Sequence, residues 1–349
     1  MNPGRPPNRG PADGGRFRHE AALYAGPEQF VARTAAFVRD SLAAEQPIMV
    51  AVAGRHRSLL REELGVDARH VQFVAMEQVG RNPARIIPAL RDWVAQNAAA
   101  DRGFRGIGEP VWAARTPAEL VECQQHEALL NTAFDDGPPW WLLCPYDVES
   151  LDDATVDSVY RTHPSVLSGG LSSSGPSSRA NAAHLHPQYS RSALLAAPLP
   201  EPRAVPFTTA FATPDLPRLR HAVDRLATAA GLPRQRIEDL VLVANELACN
   251  SILHGGGTGT MRLWREPGTV VCEVRDRGVI RDPLVGRTRP DPTAEGGAGL
   301  WIANQVCDLV QIRSTPGRGT TVRVHMGDPR ADTRGDGGAT GPFAISARG

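Results

Sequence analysis

The chain has 349 residues and not one lysine; its 38 basic residues are all arginine. That absence excludes the lysine of a Walker A loop and the strand lysine of protein-kinase-like folds, which both hold nucleotide phosphates. Lysine Schiff-base chemistry goes with them. Cysteine is also scarce. The five (Cys123, Cys144, Cys249, Cys272 and Cys307) are odd in number, scattered, and never spaced Cys-x-x-Cys. Buried thiols are therefore expected rather than a disulfide framework or a zinc site. His19-Glu20 and His126-Glu127 lack the second histidine of a zincin helix, because Leu23 and Leu130 stand four residues on. No run approaches the roughly 18 apolar residues of a membrane span, and the Pro/Gly/Arg-rich start lacks a signal-peptide core, so a cytoplasmic protein is expected. Net charge is +0, from 38 basic and 38 acidic residues, which gives no global reason to expect nucleic acid or an anionic membrane as partner.

What is present divides the chain in five. Residues 1–16 read as a disordered tail and 327–349 as another. From 17 to 165, strand-like runs (Ile48–Ala53, Val71–Met76, Phe104–Ile107, Trp140–Tyr146) alternate with helical stretches near Pro27–Glu45, Ser58–Leu64, Pro83–Ala100, Pro117–Phe134 and Asp152–Arg161. This alternation predicts an α/β domain with a largely parallel sheet. The Ser/Gly/Pro-rich stretch 166–203 reads as a flexible linker. Residues 204–326 combine helices at Pro214–Ala230 and Pro233–His254, and a short one from Gly299, with strand-like runs at Ala204–Phe211, Gly259–Arg265, Thr269–Arg275, Leu309–Ser314 and Thr320–Met326. An α+β two-layer sandwich is expected there.

In a parallel sheet, ligands bind beyond the carboxyl ends of the strands. The first such end, Ala51-Val-Ala-Gly54-Arg55-His56-Arg57-Ser58, is placed like a phosphate loop but lacks its lysine and second glycine. A plain tight turn is the better reading.

The second domain carries four polar and glycine-rich motifs in order. Glu246 and Asn250 lie four apart on the long helix, so their side chains share one side of it, while Leu240, Val243, Leu247, Ile252 and Leu253 approximate an apolar face. Asp276-Arg-Gly278 ends a strand. Gly296-Gly297-Ala298-Gly299-Leu300 opens a helix, where free N–H groups can meet phosphate oxygens. Gly317-Arg-Gly319-Thr320 supplies a hairpin and a hydroxyl. Each motif is common alone; their order and their matching elements are not.

Together they resemble the N, G1, G2 and G3 boxes of the GHKL ATPase superfamily of gyrases, chaperones and histidine kinases, and within it the anti-sigma-factor serine kinase branch. The resemblance implies ATP with Mg²⁺ as cofactors. Asn250 would hold the metal and Glu246 would act as general base. Asp276 would accept the adenine amine beside Gly278, Gly297, Gly299 and Leu300 would line the phosphates, and Thr320 would complete the adenine pocket. It further implies a sigma factor and a STAS-domain anti-anti-sigma protein as partners, and leaves a homodimer open. One departure stands out: Ile280 occupies the place of the second G1 glycine. The arginines of the expected ATP lid, Arg281, Arg287 and Arg289, read as a solvated loop or as phosphate contacts. In the first half, Arg18-His19-Glu20, Gly108-Glu109-Pro110-Val111-Trp112, Glu122-Cys123-Gln-Gln-His126-Glu127 and Cys144-Pro145-Tyr146-Asp147 resemble the MEDS domain, a sensory module with a fold similar to RecA-like ATPases. Two other functions stay open. A sensor histidine kinase would need a phosphoacceptor histidine box just before residue 204, where the Ser/Pro-rich linker holds only His184 and His186. A non-catalytic module would use ATP as a conformational ligand at most.

Overall fold

A computed structural model describes residues 17–98, 103–168, 177–180, 195–291 and 297–328. The expected tails lie outside these residues, except that Gly327 ends a strand and Asp328 follows it.

The N-terminal domain runs β1 (Arg18–Tyr24), α1 (Gly26–Ala43), β2 (Ile48–Val52), α2 (Gly54–Leu64), β3 (Gln72–Ala75), α3 (Met76–Val79), α4 (Ile86–Asn97), β4 (Arg105–Gly108), α5 (Pro117–Ala133), β5 (Trp141–Asp147), α6 (Asp153–Thr162), β6 (Ser165–Ser168) and β7 (Ser177–Ala180). The sheet order is β3-β2-β4-β5-β1-β6-β7, parallel throughout except for the antiparallel β6–β7 pair. The α/β alternation is as expected, with three strands (β1, β6 and β7) more than the apolar runs announced. β1 lies between β5 and β6, yet it opens with Arg18, His19 and Glu20, of which His19 and Glu20 are buried. A parallel strand covered on both faces is normally a continuous apolar run. The polar opening of β1 hides it from that pattern.

Helix α5 shows how local chemistry sets an element. Thr116 caps it by accepting from the Glu119 N–H at 3.3 Å, and Glu119 returns the bond by accepting from the Thr116 N–H at 2.8 Å. Pro117, with its fixed φ and no N–H to satisfy, begins the first turn.

The C-terminal domain runs β8 (Phe207–Phe211), α7 (Leu216–Ala229), α8 (Arg234–His254), β9 (Gly259–Glu266), β10 (Thr269–Asp276), α9 (Gly299–Val306), β11 (Leu309–Thr315) and β12 (Gly319–Gly327). Its antiparallel sheet has the order β11-β12-β10-β9-β8. Alternate residues Met261 and Leu263, Val270, Cys272 and Val274, and Val322, Val324 and Met326 face the helices. They meet Leu240, Val243 and Leu247 of α8, and each such buried side chain is worth about 1.5–3 kcal/mol. Leu253, expected on that apolar face, is 73% exposed, because the helix ends one residue later and its last turn leaves the core.

The other sheet face is charged and covered. Glu273, fully buried, accepts from Arg262 at 3.0 Å, Arg275 at 2.7 Å and Arg323 at 2.7 Å. Leu195 and Leu199 are buried, the Leu195 carbonyl accepts from the Ser314 N–H, and Glu201 pairs with Arg262 and Arg275. The described part of the stretch expected as linker is therefore strand (β6 and β7) at one end and sheet cover at the other.

The two domains meet through a largely buried polar seam. Glu122 of α5 accepts from Arg313 of β11 at 2.8 Å, with side chains 2% and 7% exposed. Asn82 donates to Asn304 of α9, and Arg81 pairs with Asp308 at 3.0 Å. Among the described residues no helix is long and apolar enough to cross a membrane.

Truncating one member of a buried ion pair leaves the other charge unpaired, at about 3–5 kcal/mol. Glu122→Ala should therefore lower the melting temperature, whereas Glu122→Leu combined with Arg313→Met should recover most of the loss. A second prediction concerns acid. Burial, ahead of the surrounding charges, pulls the His325 imidazole down to about 4. The unfolded chain takes up this proton below a pH of about 6.5 and the folded chain only near 4, so stability is lost as pH falls through that window. Melts from pH 7 to 4 should show wild type falling faster than His325→Gln, by at most about 1.4 kcal/mol per pH unit.

Candidate functional site

Strand register brings the scattered motifs of the second domain to one place. Asp276, the last residue of β10, pairs directly with Thr320 near the start of β12. Gly255, just beyond α8, lies so close that a Cβ there would collide with the Asp276 carboxyl. Helix end, strand end and hairpin therefore converge.

Asp276 is held from both sides. Its Oδ2 accepts from the Ser251 hydroxyl at 2.7 Å and its Oδ1 from the Gly278 N–H at 2.7 Å. The turn behind it is tied by a directed chain of hydrogen bonds. The Ile280 N–H donates to Ser314 Oγ at 2.8 Å, Ser314 is 2.8 Å from Thr320 Oγ1, and Thr320 donates to the Gly278 carbonyl at 2.8 Å. Thr320 is buried, so its hydroxyl has a structural task as well as the adenine-facing one expected. Ile280 packs partly against the core, which gives the residue in the place of the second glycine a fixed seat.

Glu246 and Asn250 are half-buried on α8, facing the start of α9. A Cβ on Gly299 would stand 2.9 Å from Glu246 Oε2 and 3.2 Å from Asn250 Nδ2. Only a bare backbone fits between the two side chains and the opening of that helix. Among the described residues neither Glu246 nor Asn250 makes a side-chain hydrogen bond or ion pair. Two polar groups without protein partners, an unobstructed helix start and an anchored carboxylate suit an Mg²⁺-bound nucleotide: carboxamide oxygen for the metal, N–H groups for phosphate, carboxylate for the base amine. Gly297 lies in the exposed approach to α9 with φ +80, and Leu300 is buried in its first turn. The structure thus gathers Glu246, Asn250, Asp276, Gly278, Gly297, Gly299, Leu300 and Thr320 around the ends of α8, β10 and β12 and the start of α9.

The lid segment behaves differently from a solvated loop. Arg287 is buried at the domain seam beside Glu122 and Arg313, and burial lowers its pKa. Arg289 pairs with Asp92, Thr288 accepts from Arg91 at 2.7 Å, and Leu284 packs on the N-terminal core. Arg281 is exposed and, among the described residues, makes no such contact. Asn304 links the parts: its Nδ2 donates to the Gly286 carbonyl of the lid at 2.8 Å, and its own oxygens accept from Asn82 of the other domain. Sequence reasoning missed Asn304 and Asn82, which belong to no motif.

The phosphate-loop position of the N-terminal domain is filled by the chain's own carboxylates. Glu109 accepts from the Ala53 N–H at 2.9 Å and Glu77 from the Gly54 N–H. Glu109 also meets His56 Nδ1 at 2.7 Å and the Tyr24 hydroxyl at 3.2 Å. The N–H groups that would receive a phosphate are satisfied internally, in keeping with a plain turn.

Comparison with known proteins finds a family model for each domain. Residues 18–164 match the family model described as MEDS, the methanogen/methylotroph, DcmR sensory domain. Residues 210–326 match the histidine kinase-like ATPase domain. No curated protein matches the chain.

In Gly299→Ala the new methyl must displace the Glu246 carboxylate, the flexible partner in that contact. ATP turnover should fall about tenfold or more, equivalent to about 1.4 kcal/mol of barrier, with a smaller change in nucleotide affinity. Steady-state phosphate release and equilibrium titration measure the two separately. The chain joins a MEDS sensory domain to a GHKL-type, histidine kinase-like ATPase domain.

Proposed function

We propose that the chain is an ATP-dependent serine/threonine-protein kinase that acts as an anti-sigma factor. Its substrate is a STAS-domain anti-anti-sigma protein, its second partner a sigma factor, and its N-terminal domain regulates it. The observation that carries the kinase reading is the pair Glu246 and Asn250, one helical turn apart, without a side-chain hydrogen bond or ion pair among the described residues and facing the bare backbone of Gly299.

Roles follow from chemistry. Bound ATP with Mg²⁺ supplies the phosphoryl group and neutralises its charge. Asn250 holds the ion through its carboxamide oxygen. Glu246 takes the proton of the substrate hydroxyl as general base, and the N–H groups opening α9 orient the phosphates. Asp276, fixed by Ser251 and Gly278, sets the purine end. Regulation has a physical route: Asn82 of the sensory domain bonds Asn304, which bonds the lid at Gly286.

One observation favours a second reading, a module for which ATP is a conformational ligand only. Ile280 stands where a flexible glycine is expected, and the lid after it is held by the other domain.

Incubating the chain with radiolabelled ATP, Mg²⁺ and cognate STAS-domain proteins distinguishes them. The kinase reading expects acid-stable label on a serine or threonine of the partner, and Glu246→Gln should lose that label while still binding nucleotide. Acid-labile label on the chain itself would point to a histidine kinase. Nucleotide binding with no label on any cognate partner would leave the conformational-ligand reading.

A further inference from the structure

A second constellation lies inside the N-terminal domain and takes no part in the ATP site. Parallel pairing of β1 with β5 places His19 opposite Leu142, so Cys144, two residues further on, shares its sheet face. Helix α5 covers that face with Glu127, and His163 follows the end of α6. All four residues are 2% exposed or less. His19 Nε2 is 3.0 Å from Glu127 Oε2, His163 Nε2 is 3.2 Å from the same oxygen, and Cys144 Sγ is 3.4 Å from His19 Nε2. One ligand atom from each lies within 4.8 Å of all the others.

The surrounding hydrogen bonds decide which nitrogen of each ring carries hydrogen. Asn131 donates its Nδ2 to the Thr162 carbonyl at 2.8 Å, which turns its Oδ1, an acceptor, toward His19 Nδ1 at 3.0 Å. His163 Nδ1 lies 3.0 Å from the Val159 carbonyl, also an acceptor. Both rings therefore donate through Nδ1, and in the neutral form of each ring an Nε2 lone pair faces one carboxylate beside a thiol. Lone pairs do not hydrogen-bond to a carboxylate. Among the described residues, His163 Nε2 and the second carboxylate oxygen, Glu127 Oε1, are buried atoms with no hydrogen-bond partner. An orienting acceptor behind each imidazole is the usual support of metal-binding histidines.

We propose that His19, Glu127, Cys144 and His163 form a binding site for a divalent transition-metal ion of the zinc class. Zn–N and Zn–O bonds near 2.0–2.1 Å and a Zn–S bond near 2.3 Å give a tetrahedron with edges of about 3.3–3.6 Å. The separations of 3.0, 3.2 and 3.4 Å approach those edges. On binding, the Cys144 thiol releases its proton to water and the thiolate bonds the ion, with no change of oxidation state. Mixed N, S and O donors suit zinc or cobalt rather than magnesium or calcium. Glu127 and Cys144 also border a cavity of about 230 Å³ walled by Met49, Met76, Leu130 and Leu142, so the ion meets that space directly.

The test uses the full chain, purified under reducing conditions, stripped with a chelator and titrated anaerobically with Co²⁺. One equivalent should produce the visible absorption of a four-coordinate site and a near-ultraviolet thiolate-to-cobalt band, and Zn²⁺ should bleach both. Cys144→Ser should lose the thiolate band, Asn131→Ala should weaken affinity about 10–100-fold, and Cys249→Ser, in the other domain, should behave as wild type. Should Cys144→Ser not fold, the unsubstituted chain still decides, because Zn²⁺ must raise the melting temperature of the stripped protein. No saturable cobalt spectrum at one equivalent, or a thiolate band that survives in folded Cys144→Ser, would overturn the site and leave a buried hydrogen-bonded cluster.

Discussion

The ion pair between Glu122 and Arg313 holds the two halves in register, and most of the functional geometry depends on it. Both side chains are nearly inaccessible, so neither charge can turn to water if the other withdraws. A pair of this kind adds little net stability compared with apolar packing, but breaking it is costly. Its effect is therefore on arrangement. While it holds, Asn82 stays against Asn304, Arg91 against Thr288, and the described part of the lid rests on the sensory domain.

Helix α5 connects two buried sets of charges. Glu122 faces the ATPase domain, while Glu127, five residues on, faces His19 and His163. A change that moves α5 at Glu127 acts on the same rigid element that grips Arg313. From there the path to the nucleotide is short in structural terms: β11 supplies Ser314, which ties Ile280 and Thr320, and Thr320 sits opposite Asp276. The contacts that run from one domain to the other thus have named atoms at every step.

Much of this was legible in the sequence. Glycines and a helical spacing of four announced the second domain, because close backbone approach demands glycine and α-helices put such pairs on one side. The α/β half was legible from alternating apolar runs, except for β1, where His19 and Glu20 interrupt the pattern of a buried strand, and for β6 and β7, which fall at or within the Ser/Gly-rich stretch read as linker. Leu253 misled in the opposite sense, since an apolar residue at the right period still points away from the core once the helix ends. The domain seam was invisible: Asn82 and Asn304 match no motif, Glu122 entered only within the MEDS resemblance and not as an ion-pair partner, and pairings about 190 to 220 residues apart are set by tertiary packing. The four-residue cluster was set aside for a similar reason. Zinc reasoning looks for paired cysteines or an i, i+4 histidine pair, whereas these ligands come one each from β1, α5, β5 and the end of α6.

Kinase activity in the second domain requires a working nucleotide site despite the isoleucine at position 280. Titration of a fluorescent ATP analogue with Mg²⁺ into wild type and Asp276→Ala examines this directly. Saturable binding by wild type and its loss in the variant is the predicted result. Equal, weak binding by both proteins would contradict it.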